Sequence, residues 1–94
     1  MTDCFFEKVD QISKKHLSNA EQLRFYGLYQ QATIGNINMP KPWFYKHQQQ
    51  LEWNAWNTHL HMTPNDAKKN FIIEADNLNA QRVWTELRSM FHVR

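Results

Sequence analysis

Helix breakers are scarce in this chain, and they fall in clusters. Two glycines and three prolines occur in 94 residues. Gly35, Pro40 and Pro42 bracket one stretch, Pro64 marks a second break, and Gly27 stands alone inside a helical pattern. No run alternates apolar and polar residues as a strand with one wet face does. A chain with few breakers, no alternation and apolar residues at helical spacing is expected to be all-α.

The periodicity predicts four helices, perforce joined by loops at those breaks. The first runs from about Asp3 to Lys15, with Phe5, Val9 and Ile12 at i, i+4, i+7 on one face. The second opens on a capping box, Ser18 with Glu21 three residues later, and runs to about Ile34 before stopping at Gly35. The stretch "GNINMPKPWFY" holds two prolines and reads as an extended loop. The third helix spans about His47 to His59, with Trp53, Trp56 and Leu60 as its buried stripe; both tryptophans are read as core rather than ligand contacts. The fourth starts at Thr63, with Pro64 in its first turn and Asp66 three residues after the cap. Its face is Ala67, Phe71, Ala75 and Leu78. The last segment, "RVWTELRSMFHVR", repeats the spacing at Val83, Leu87 and Met90, and either extends the fourth helix or forms a short fifth.

Charge and composition exclude several classes. The net charge of +2 comes from 11 basic and 9 acidic residues, and the longest basic runs are the pairs Lys14-Lys15 and Lys68-Lys69, too little for a nucleic-acid partner. One cysteine, Cys4, allows no intrachain disulfide and suits a reducing compartment. No apolar run reaches the ~20 residues of a transmembrane segment, and the N-terminus has no apolar signal-peptide core. The chain is expected to be one cytoplasmic domain.

Catalytic patterns are not found. His59 and His61 are two apart, so they do not share a helix face; they read as a polar helix end, with no metal site expected. Cys4 has no base beside it. There is no G-x-S-x-G, no phosphate-binding glycine loop and no acidic pair suited to acid–base work. An enzyme is not expected, nor a cofactor.

One stretch carries more information. "FYGLYQQATIGNIN" resembles the acyl-CoA-binding protein family, whose pattern is Y-x-x-Y-K-Q-A-T-x-G-D/N-x-N. The matching residues are Tyr26, Tyr29, Gln31, Ala32, Thr33, Gly35, Asn36 and Asn38. "PKPWFYKHQQQLEWNAW" resembles the family's loop and K-W-x-A-W helix at Pro42, Trp53, Ala55 and Trp56, and "MTPNDAKKNFI" resembles the start of its last helix. The resemblance covers about residues 3–78. It implies an up-down-down-up four-helix bundle that binds long-chain acyl-CoA and carries it through the cytosol. It also implies two regions: 1–79 as the binding domain and 80–94 as an amphipathic C-terminal extension.

The resemblance places the ligand site at Tyr26, Tyr29, Gln30 and Phe71, with Lys14 as a substitute cation. The family has lysine where this chain has Gln30 and Glu52, tyrosine where it has Phe71, and a first-helix lysine where it has Ser13. CoA presents a pyrophosphate and a 3′-phosphate, so two lost lysine contacts remove roughly 3–6 kcal/mol unless other groups replace them. Glu52 adds repulsion. Three functions are weighed against one another: acyl-CoA binding with an altered head-group site, a protein-interaction module on the same scaffold, and a carrier of a less charged lipid. Val83, Trp84, Leu87, Met90 and Phe91 are too apolar to stand in water. They fold back on the bundle, engage a protein partner, or self-associate through residues 81–94.

Overall fold

A computed structural model describes residues 4–91, and the side chains of residues 4–80. Four α-helices follow in order, α1 (Cys4–Ser13), α2 (Asn19–Thr33), α3 (His47–Asn57) and α4 (Pro64–Phe91), and no strand occurs among the described residues. The chain runs up-down-down-up. α2 packs against both α3 and α4, and α1 packs against α4.

Local chemistry sets the helix ends. The Ser18 hydroxyl accepts the Glu21 N–H at 3.2 Å, and the Ser18 N–H donates to Glu21 Oε1 at 2.9 Å, so the capping box is complete at the start of α2. α2 stops where Gly35 takes φ +102°, a conformation that L side chains resist. The Thr63 hydroxyl accepts the Asp66 N–H at 3.1 Å at the start of α4, with Pro64 at the first helical position. Two helices end two residues earlier than their periodicity predicts. At the end of α1 the Ser13 hydroxyl bonds the Asp10 carbonyl, and after α3 the Thr58 hydroxyl bonds the Asn54 carbonyl. Such side-chain bonds compete with continuation of the backbone ladder.

The core is a layer of rings and small residues. Phe5 and Ile12 of α1, Phe25, Leu28 and Ala32 of α2, and Ala67, Phe71, Ala75 and Leu78 of α4 are all buried. Phe71 lies between Phe5 and Phe25, with ring centroids 5.1 and 4.9 Å away. The expected α4 face is thus the observed one. The expected α3 stripe is corrected: Trp56 is buried, Trp53 is half-buried, and Leu60 is exposed. α3 has ended before Leu60, so the residue sits in the following turn and leaves the stripe.

The two indoles tie down the long loop. Trp56 Nε1 donates to the Gly35 carbonyl at 2.8 Å, and Trp53 Nε1 donates to the Met39 carbonyl at 2.9 Å. A second clamp joins the α2–α3 loop to the α3–α4 loop. Gln31, the one buried polar side chain described, donates from Nε2 to Asn36 Oδ1 at 3.0 Å and to the Met62 carbonyl at 2.8 Å. Asn36 Oδ1 also takes the His61 N–H at 2.7 Å, which holds His61 at φ 74°.

His59 stands in the cleft where α2 and α4 meet the end of α3, beside Leu28, Asn70, Ile73 and the Arg24–Glu74 ion pair. Burial lowers its pKa below the ordinary 6.5. A folded-state pKa below the unfolded one means that the unfolded chain binds the proton first. Stability is therefore expected to fall as pH drops from 6.5 through the lowered folded value. Melting curves of wild type and His59→Gln over this range check it, with the variant giving the flatter profile.

α4 continues without a break to Phe91, so the last segment extends the fourth helix. Whether its apolar side chains fold back or meet a partner lies outside the described residues.

Candidate ligand-binding site

α1 and α2 both lie on α4, yet no Cα of one comes within 8 Å of a Cα of the other. The gap is a groove of about 230 Å³. Val9, Ile12 and Ser13 form one wall, Phe25, Tyr26 and Tyr29 the other, and Phe71 of α4 contributes to the lining. Apart from a hydroxyl at Ser13 and two phenols, this surface is carbon. It suits a flexible apolar chain.

A second cavity of about 220 Å³ opens between α2 and α3. Its polar lining is Asn19, Gln22, Gln48 and Glu52, together with Tyr26. Tyr26 borders both spaces, the apolar groove and the amide-rich pocket. Burial raises the Tyr26 pKa above 10.0, and the nearby Glu52 charge raises it further; a hydrogen bond from the Gln30 side chain opposes them. The phenol is therefore neutral at pH 7 and keeps its hydrogen. Gln48 Nε2 donates to Glu52 Oε2 at 3.3 Å. A smaller cavity of about 140 Å³ lies beneath the long loop, again with Tyr26 and Glu52 in its wall, beside Trp53 and Trp56.

Four of the five site residues expected from the sequence come together. Tyr26, Tyr29 and Phe71 line the groove, and Gln30 bonds Tyr26. Phe71 is at the same time core, only 2% exposed. Lys14 stands apart. Its ammonium pairs with Asp10 at 3.1 Å on an exposed surface, and its neighbour Ser13 is the residue that lines the groove. No lysine or arginine lines the groove or the polar pocket among the described residues.

Four residues outside the expected set also shape the surroundings of the site. Lys68, one of two adjacent lysines in the sequence, places Nζ 5.9 Å from the centre of the Phe5 ring, and that ring stacks on Tyr29 at 6.1 Å. Gln31 and Asn36 fix the two loops through the Gln31 amide and the Asn36 Oδ1. Gly27 matters most: a Cβ there would lie 2.4 Å from the Ala55 carbonyl oxygen. The signal was present, since a lone glycine inside a helical pattern often marks close backbone approach.

These features define a small all-α bundle with one groove for an apolar chain and a polar pocket beside it. The family model described as acyl CoA binding protein matches residues 3–75. The acyl-CoA-binding protein of Dictyostelium discoideum is 38% identical over 66 residues, which is 70% of this chain and 77% of that one. Acyl-CoA-binding protein 2 of Saccharomyces pastorianus is 38% identical over 64 residues, 68% of this chain and 74% of that one. The crystal structure of Oryza sativa Acyl-CoA-Binding Protein 2 superimposes with a TM-score of 0.78 at 25% identity, covering 84% of this chain and 90% of that chain. The chain belongs to the acyl-CoA-binding protein family.

Proposed function

We propose that this chain binds long-chain fatty acyl-CoA thioesters and carries them through the cytoplasm without altering them. The reading includes a head-group site that has exchanged two lysines for an amide, Gln30, and a carboxylate, Glu52. The groove between α1 and α2 carries the proposal: it is apolar, ring-walled, and bounded by the two tyrosines of the family pattern. Family membership supports the ligand class. Tyr26 passes from groove to polar pocket, which gives one side chain contact with both halves of an amphipathic ligand.

Head-group recognition follows from the polar lining. Asn19, Gln22 and Gln48 supply neutral donors, each contributing about 0.5–1.5 kcal/mol, where a charge-assisted contact contributes about 1.5–3. Affinity is therefore lower than a lysine-rich site gives. Its salt dependence is shallow, because fewer ion pairs are there to be screened.

Calorimetric titration at low salt with palmitoyl-CoA, free CoA and palmitate tests this. Binding of palmitoyl-CoA at about 1–10 μM, with both fragments weaker, is the expected result. An unbroken helical spectrum with no heat up to about 100 μM would overturn it. Glu52 in the pocket wall favours a second reading, a carrier of a less charged lipid. Palmitate binding more tightly than palmitoyl-CoA would establish that alternative.

A further inference from the structure

The loop between α2 and α3 ends in three consecutive rings that stand exposed among the described residues. Trp43 is 69% exposed, Phe44 80% and Tyr45 68%. Such exposure in a 94-residue chain with a ring-built core is an unfilled contact. The rings are not on a floppy segment. The Lys46 N–H donates to the Trp43 carbonyl at 2.9 Å and closes a turn with Phe44 and Tyr45 at its apex. Gln50 Nε2 holds the Pro42 carbonyl at 3.0 Å, and Trp53 Nε1 holds the Met39 carbonyl at 2.9 Å. The Phe44 and Tyr45 rings meet edge to face at 5.9 Å. The chain thus spends three backbone anchors on presenting apolar rings to solvent.

Charge identifies the surface they face. No aspartate or glutamate occurs between Glu21 and Glu52, while Lys41 and Lys46 flank the rings directly. Both lysines are exposed, and Lys41 Nζ lies 6.0 Å from the Trp53 ring centre at the loop's base. An aromatic tip between two cations matches the boundary of an anionic bilayer. Trp and Tyr favour the headgroup level, and lysines beside them are drawn to anionic lipid. A protein partner fits less well. Three rings bury about 150–250 Å² each, short of the roughly 800 Å² per side of a standard interface. A bilayer asks for no shape complement.

We propose that residues 39–47 form a peripheral membrane-docking loop specific for anionic lipid surfaces. Phe44 and Tyr45 enter the interface, Trp43 sits at headgroup level, and Lys41 and Lys46 contact lipid phosphates or carboxylates. The loop also roofs the cavity that Tyr26 shares with Trp53 and Trp56, so docking sets that cavity toward the membrane.

Vesicle co-sedimentation of the full chain, with no acyl-CoA added, tests the loop apart from the ligand reading. Vesicles of phosphatidylcholine alone are compared with vesicles containing phosphatidylserine. The wild type is expected to sediment with the latter. Phe44→Ser with Tyr45→Ser is expected to lower partitioning at least tenfold. Lys41→Gln with Lys46→Gln is expected to lower it about fivefold per lysine, on the anionic vesicles alone. Trp43→Phe keeps binding and removes most of the blue shift in tryptophan emission. All these side chains are exposed, so unchanged melting curves confirm folding. Equal partitioning of wild type and the ring variant would overturn the proposal, as would failure of the wild type to sediment. So would a ring-dependent dimer in sedimentation velocity with vesicle binding unaffected.

Discussion

Gln30→Lys combined with Glu52→Lys tightens palmitoyl-CoA binding by about two to four decades. Both positions border Tyr26, one by hydrogen bond and one by charge, and neither change disturbs the core. Each new ammonium can make a charge-assisted contact to a phosphate contributing about 1.5–3 kcal/mol, so the pair contributes about 3–6. Glu52→Lys also removes a carboxylate that repels the same phosphates. The intermediate variant Glu52→Gln isolates that repulsion and should recover only the smaller part. Calorimetric titration measures all three. The salt slope should steepen in the double variant, since the restored contacts are screened. If the double variant binds no better than wild type, the phosphates do not lie beside Tyr26 and the head-group reading is wrong.

The second large effect concerns a single hydrogen atom. Gly27→Ala, which in an open helix adds about 1 kcal/mol of stability, is expected to destabilise this protein by about 3 kcal/mol. The added Cβ would lie 2.4 Å from the Ala55 oxygen and 2.8 Å from its carbonyl carbon. Backbone atoms cannot rotate aside, so α2 and α3 must separate. Trp56, buried at 1% exposure, then loses its packing, and the pocket formed by Tyr26 and Glu52 widens. A melting temperature lower by roughly 12–24 °C follows for a domain of this size. Gly35→Ala is the contrast. Its Cβ has open space, and only the positive φ resists it, at about 1–2 kcal/mol. A Gly27→Ala protein that melts as high as wild type would show that the α2–α3 approach is not a constraint.

Much of the architecture was legible because it is written in local chemistry. A capping box needs only Ser18 and Glu21 at the right spacing, and both of its hydrogen bonds form. Ala67, Phe71, Ala75 and Leu78 recur at one helical period, and all four are buried. Rings and methyls at such spacing can hide from water only on one side of a helix. Tyr26 and Tyr29 share the groove for the same reason. Periodicity failed at Leu60, where a polar turn cut the helix short and the residue kept the spacing but lost the face.

The remainder depended on which helices meet and how closely, and no local pattern carries that distance. Lys14 sits one residue from a groove-lining position, yet at helical pitch one residue is a rotation of about 100°, enough to send it to Asp10 instead. Gln31 reads as one more polar residue until α2 is set against the turn before α4, where its amide joins two loops. The groove itself exists because α1 and α2 lean on α4 without touching each other's backbone, a property of three helices jointly. Helix identity and the buried faces are consequences of chain chemistry over a few residues. The candidate site is made of gaps between helices, and gaps are settled only when the whole bundle packs.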